Sequence, residues 1–251
     1  PAGSVRASVP VRAADDLTAW SLAEDGAISA AGGAWDAQQQ TYAFDVISGV
    51  TAIARFPFTD VPAGSWYYGA AAYAYNNGLF AGTTATTFAP DMTMTRAMLV
   101  SVLWRLAGEP APKGTNTFDD VPDGAWYTDA VTWAAENGVV AGIGNGCFDP
   151  SGAVTREQTA VILMEYAAKV LELTNGGEKA DLAAFPDGGQ VSDWARDAMA
   201  DAVALGLISG AQTKDGTLLL PQNSATREQV ATILMEFYTS IDNALIDVTT
   251  A

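Results

Sequence analysis

One pattern of landmarks occurs three times in this sequence, and a chain that repeats itself folds as copies of one unit that share a core. The first copy carries Phe58, Asp60 and Val61, then Trp66 and Tyr67, then Asn77, Gly78 and Gly82, then Phe88 and Pro90, and finally Thr95 and Arg96. The second repeats them at constant spacing as Phe118, Asp120, Val121, Trp126, Tyr127, Asn137, Gly138, Gly142, Phe148, Pro150, Thr155 and Arg156. The third is looser, with Phe185, Asp187, Trp194, Gly206, Gly210, Pro221, Thr226 and Arg227. Its stretch from Gly210 to Arg227 is longer than the matching stretches before Arg96 and Arg156, which predicts an enlarged loop.

Each copy reads as helix, loop, helix. Trp66, Ala70, Tyr73, Ala74 and Asn77 share one helical face, and Gly78 stands where a left-handed glycine ends such a helix. A turn-rich loop of Thr, Gly, Asp and Pro leads to a second helix capped by Thr95, Thr155 or Thr226. Gln158 and Gln229 complete a capping box in copies two and three, whereas copy one has Met98 there. The apolar faces that follow are Leu99, Val102, Leu103 and Leu106; Ala160, Leu163, Met164 and Ala167; and Val230, Ile233, Leu234 and Phe237. One such unit cannot bury both its helices, so three must pack on a shared axis. The expected organisation is a β-rich segment over residues 1–57, copies over 58–110, 118–173 and 185–240, and a frayed tail over 241–251. The β reading rests on Leu17 to Trp20, Gly26 to Ser29 and Tyr42 to Val46, where apolar residues fall between turn signals.

Charge and composition exclude much chemistry. A net charge of −17, from 29 acids against 12 Lys and Arg, lacks the basic patch that nucleic acid or an anionic membrane surface requires. No apolar run reaches the roughly 18 residues that span a bilayer, so no membrane insertion is expected. There is no His, which removes Ser-His-Asp and Cys-His catalysis and imidazole metal ligation. The single cysteine, Cys147, forms no internal disulfide. The sequence begins Pro-Ala-Gly with no basic or apolar leader pattern, so no targeting peptide is expected within it.

Acidic residues alone do not make a glycosidase, because a chain with this many always offers some pair. No nucleophile elbow, Walker loop or dinucleotide fingerprint is present. Gly142, Gly144 and Gly146 lack the helix start that cradles phosphate and read as a turn. Asp123-Gly124 and Asp215-Gly216 are turn signals with none of the spacing of a calcium loop. The expectation is a chain with no enzyme activity, no cofactor and no metal site.

These landmarks together are similar to the S-layer homology repeat, over about residues 58 to 240. The resemblance implies a mainly α fold: three helix-loop-helix repeats in a pseudo-threefold, three-pronged spindle around a central helical bundle, here preceded by the β segment. It also implies a secreted module on the bacterial cell surface that anchors a protein to the cell wall, binding anionic, pyruvylated secondary cell-wall polysaccharide in grooves between repeats. A platform for assembly or adhesion with other surface proteins is the alternative. The family's Thr-Arg-Ala-Glu motif maps its basic residue onto Arg96, Arg156 and Arg227, while Met98, Gln158 and Gln229 replace its acid.

The residues themselves leave roles open. An Arg at the first helical position opposes the macrodipole at a cost of a few tenths to about 1 kcal/mol, yet all three copies have one. Either an anion bound by the guanidinium and free helix N–H groups offsets this, or an ion pair with Asp60, Asp120 or Asp187 does. Those acids could instead orient sugar hydroxyls or close turns. Trp66, Trp126 and Trp194 suit sugar stacking, although their place at the start of an apolar face favours core anchoring. Gly82, Gly142 and Gly210 serve either backbone conformation or close approach of a ligand.

Overall fold

Glycines end the first helix of each copy, and threonines start the second. In the computed structural model, which describes residues 5–10, 17–22, 28–30, 34–36, 41–46, 50–173 and 179–249, copy one forms α1 (Tyr68–Asn76) and α2 (Arg96–Leu106). Copy two forms α3 (Thr128–Glu136) and α4 (Arg156–Lys169), and copy three α5 (Arg196–Ala204) and α6 (Arg227–Thr249). Gly78, Gly138 and Gly206 take φ of 70°, 71° and 74°. That left-handed step lets the next residue's N–H turn back, from Leu79 to the Ala74 carbonyl, from Val139 to Ala134 and from Leu207 to Ala202, at 2.8, 2.8 and 2.9 Å. This is the Schellman closure, and it satisfies carbonyls the helix end would otherwise orphan.

By α-carbon packing the chain divides into Pro1–Pro90 and Asp91–Ala251, a division that falls inside copy one. Among the described residues the first unit has six strands: β1 (Val5–Pro10), β2 (Leu17–Leu22), β3 (Ile28–Ala30), β4 (Ala34–Asp36), β5 (Thr41–Val46) and β6 (Val50–Arg55). They make two antiparallel three-stranded sheets, ordered β1-β5-β4 and β3-β2-β6. Strands stand where Leu17, Ile28 and Tyr42 suggested them, while Gly26 and Ala27 lie outside the described residues. The same unit carries α1, whose Ala70, Ala71, Ala72 and Ala74 are buried, beside a cluster of Phe56, Phe58, Tyr68 and Tyr75 rings with centroids 4.9–5.4 Å apart.

In the second unit the second helix of one copy packs on the first helix of the next: α2 on α3 and α4 on α5. Leu99, Leu103, Leu163 and Leu234 are almost wholly buried, and the Tyr166 ring, fully buried, lies 6.4 Å from Trp133 and 6.3 Å from Phe237. Each such leucine contributes about 1.5–3 kcal/mol, more than a helix cap does, so packing between copies rather than local propensity holds the helices.

The segments just before the threonine caps close on one another. Met94 N–H donates to the Ala225 carbonyl at 2.9 Å, Ala225 N–H to Val154 at 2.9 Å, and Val154 N–H to Met94 at 3.0 Å. One residue of each copy both gives and receives, and all three are fully buried. This is a threefold ring in backbone hydrogen bonds.

Two local expectations change. The enlarged third loop is a hairpin, β7 (Ala211–Thr213) and β8 (Gly216–Leu218). The tail expected over 241–251 is helical as far as Thr249, because no Gly or Pro follows Arg227 to stop α6. The whole is mainly α, three repeats with a small β segment, as the pattern implied.

Candidate functional site

The acids at the start of each copy are committed to backbone. Asp120 accepts from Phe148 N and Asp149 N, both at 2.7 Å. Asp60 accepts from Phe88 N and Ala89 N at 2.8 and 2.7 Å, and Asp187 from Leu219 N and Leu220 N at 2.8 and 2.7 Å. The second donor of each pair is a non-glycine residue with positive φ: Ala89 at 58°, Asp149 at 61° and Leu220 at 52°. Such residues are strained by roughly 1–2 kcal/mol, and two charge-assisted bonds outweigh that. Of the three roles open to these acids, the hydrogen bonds are those of a turn closure.

The arginines reach into the next copy. Arg96 Nε donates to the Phe148 carbonyl at 2.8 Å and its NH2 to the Ala141 carbonyl at 3.1 Å, and its guanidinium carbon lies 4.6 Å from the centre of the Phe148 ring. Arg156 Nε donates to the Leu219 carbonyl at 2.7 Å. Burial pulls both guanidinium groups below their usual pKa, while Asp149 and Asp120 oppose this at Arg96 and Asp187 opposes it at Arg156. Neither arginine forms an ion pair among the described residues, so the expected pairing with Asp120 or Asp187 is a field effect only. Arg227 is buried as well, at 6% exposure.

The free helix N–H groups expected around these arginines are not free. Arg96 N and Ala97 N donate to the Gly152 and Pro150 carbonyls at 3.0 and 3.1 Å, and Met98 N to Thr95 Oγ1 at 3.2 Å. Arg156 N, Glu157 N and Gln158 N are met in the same way by Asn223 O, Pro221 O and Thr155 Oγ1. Arg227 N donates to Met92 O at 2.9 Å. Contact with the neighbouring copy, not a ligand, satisfies these helix starts, and any anion must be held by side chains.

The tryptophans are not core anchors. Trp66, Trp126 and Trp194 are 66, 60 and 59% exposed. Their helices begin at Tyr68, Thr128 and Arg196, so each indole stands before the first turn and off the buried face, which alanines fill instead. Close packing accounts for Gly142 and Gly210. A Cβ on Gly142 would lie 2.6 Å from the Cys147 carbonyl and 2.9 Å from the Phe118 ring, and one on Gly210, at φ 83°, would lie 2.7 Å from Thr217. Gly82 is closed off likewise by Thr84 O and the Phe58 ring. Gly144 to Cys147 is the tight turn its glycines suggested, with Cys147 N donating to Gly144 O at 3.0 Å.

Within the second unit, three of these residues meet in an open groove of about 640 Å³. Arg96 enters from α2, Gly142 and Ile143 from the segment after α3, and Trp194 from copy three. The floor is α4, through Gln158, Val161, Ile162 and Glu165, whose spacing is one helical face. Asp120, Asp187, Arg156, Trp126 and Gly210 do not line it. Gln158 spends its Oε1 on Thr155 N, completing the capping box, and its amide nitrogen has no partner among the described residues. Glu165, half-buried, has none either. Ile143 and Glu165 were not singled out in the sequence, although the α4 face that carries Glu165 is readable from periodicity. Among the described residues no group of three or more His, Cys, Asp or Glu is placed to hold a metal, and no helix is long and apolar enough to cross a membrane.

A ring of helix starts, with an arginine and an exposed indole brought from different copies into one groove, defines a module built from three repeats. The chain belongs to the S-layer homology domain family, whose domain matches residues 57–97, 117–160 and 184–231, more than half of the sequence. It is similar to the Surface-layer 125 kDa protein of Lysinibacillus sphaericus, 32% identical over 66% of this chain and 13% of that protein. It is also similar to an endoglucanase of Bacillus sp. (strain KSM-635), 33% identical over 71% of this chain and 18% of the relative, and to an amylopullulanase of Thermoanaerobacterium thermosulfurigenes, 30% identical over 61% and 8%. The chain thus spans less than a fifth of the length of these relatives, and the two enzymes carry the similar region as a small part of a longer protein.

Proposed function

We propose that this chain is a non-catalytic module that fixes a longer protein to the bacterial cell wall by binding pyruvylated secondary cell-wall polysaccharide in grooves between its repeats. That the family serves surface anchoring, and that its members here include surface-layer and cell-surface proteins, is the coarser part of this reading. The observation that carries the finer part is the groove itself. It holds a desolvated guanidinium with N–H groups to spare beyond its two carbonyl partners, and an exposed indole that offers a sugar ring a flat apolar face.

The test is binding of the full chain to purified wall polysaccharide before and after mild acid removes the pyruvate ketal. Binding that falls at least tenfold on depyruvylation supports the reading, and binding indifferent to the ketal overturns its anionic part. The hairpin β7–β8, absent from copies one and two, favours a second reading as a platform for other surface proteins. A chain that binds no wall polymer but retains a surface protein from the same cells would establish that instead.

A further inference from the structure

Among the described residues two charged side chains line the groove, of opposite sign, and they differ in how they are used. Arg96 is buried and already tied to Phe148 and Ala141, whereas Glu165 is half-exposed and has no partner among the described residues. An anionic ligand that filled the groove end to end would therefore meet a cation at one point and an uncompensated carboxylate at another. A carboxylate is an acceptor only, with four lone-pair sites, and the groups it takes without repulsion are hydroxyl, amide and ammonium donors. Gln158, on the same face of α4, adds a donor in its amide nitrogen, and the Trp194 indole adds a stacking surface.

The repeat register places the same acid and amide in copy three, as Glu236 and Gln229 on α6, but not in copy one. The position of Glu165 on α4 corresponds to Arg105 on α2, where the side chain lies 3.9 Å from Glu109 of its own helix. Gln158 corresponds to Met98. The α4 wall is thus an acid with an amide where the α2 wall has a base with a thioether.

Resting on the anchoring reading above, we propose that Glu165 determines the specificity of this groove. It accepts hydrogen bonds from the hydroxyls of an uncharged sugar unit stacked on Trp194, beside the unit whose acid group meets Arg96. The groove then admits a polymer with isolated acidic groups and turns away one with a charge on every unit, because like-charge contact is as effective a selector as attraction.

The experiment uses the full chain labelled with 5-fluorotryptophan. The Trp194 resonance, assigned by its loss in Trp194→Phe, reports occupancy of this groove alone. The probes are pyruvylated wall polysaccharide and poly(glycerol phosphate), which carries one charge per unit. The parent is expected to bind the first and not the second. Glu165→Gln, which keeps the shape, is expected to weaken the first by about tenfold, the scale of one charged hydrogen bond. Glu165→Arg is expected to admit the second. Thermal melting of both variants should match the parent, since Glu165 has no partner to lose. If the parent binds wall polysaccharide and both variants do so equally well while still refusing poly(glycerol phosphate), this inference alone is overturned. A parent whose Trp194 resonance answers neither polymer overturns this inference, and the anchoring reading falls with it only if the full chain also fails to bind purified wall polysaccharide in the assay above.

Discussion

Arg96 and Phe148 meet twice: the Nε of the arginine donates to the phenylalanine carbonyl at 2.8 Å, and the guanidinium carbon stands 4.6 Å from the ring centre. The pair joins the start of α2 to the loop of the following copy, so it is at once a helix start, a contact between copies and the edge of the groove. Its replacement Leu219 offers Arg156 the carbonyl without the ring. Arg96→Ala is therefore expected to destabilise the second unit by about 2–4 kcal/mol, from two unpaired carbonyls and a lost cation–π contact. Arg156→Ala should cost less, about 1–2 kcal/mol. Urea unfolding of the two variants in parallel checks the order.

Asp120 gives the fold an acid limit. Burial raises its carboxyl pKa, but the amides of Phe148 and Asp149 outweigh this and hold it below the ordinary 3.8. A group lowered in the folded state contributes stability above its unfolded value and loses it as pH falls through the folded value. The loss from this residue is thus expected below pH 3.8, not in the neutral range. Asp120→Asn, which leaves one amide facing an NH2 group, is expected to cost about 1–3 kcal/mol at pH 7 and to flatten the decline of stability in acid. Circular dichroism melts from pH 7 to pH 2 compare the two.

The three caps are unequal. Thr155 and Gln158 complete the reciprocal box, and Thr95 makes the forward half with Met98 N. At Thr226 only the reverse half forms, its N–H donating to Gln229 Oε1 at 3.4 Å, while its own buried Oγ1 takes no helix N–H and interacts with the Glu228 carboxyl. Thr155→Ala should cost about 1 kcal/mol. Thr226→Ala should cost less than Thr155→Ala, because its Oγ1 satisfies no helix N–H. Melting temperatures decide between unequal and equal caps.

Ala89 sits at φ 58° beneath Asp60, where glycine pays no steric penalty. Ala89→Gly is expected to raise stability by at most about 1 kcal/mol, the strain released less the entropy a glycine adds to the unfolded chain. A fall in the urea midpoint would show that the Cβ of Ala89 packs better than its backbone is strained.

What the sequence made legible was local. The helix starts at Thr95, Thr155 and Thr226, the glycine stops and the order of the copies all follow from spacing and from residue chemistry within a turn or two. The tryptophans were misjudged because a helical face was counted from Trp66 when the helix begins at Tyr68, and two residues rotate a side chain by more than half a turn. The arginine partners were out of reach for a different reason. Phe148, Ala141 and Leu219 are main-chain carbonyls of another copy, and a carbonyl has no residue type to read. The groove is of the same kind, since nothing local brings Arg96, Glu165 and Trp194 together except the packing of successive copies.

The ring through Met94, Val154 and Ala225 has a consequence for how such a chain can change. In an open stack of repeats the end units keep their bonds when another is added beside them. Here every donor is already answered, and the last acceptor answers the first donor. A fourth copy has no opening to enter, and loss of one strands a donor and a carbonyl in a place without water. The number three is therefore a property of closure rather than of length, and diversity among such chains has to arise inside the copies, in a hairpin here or a wall residue there.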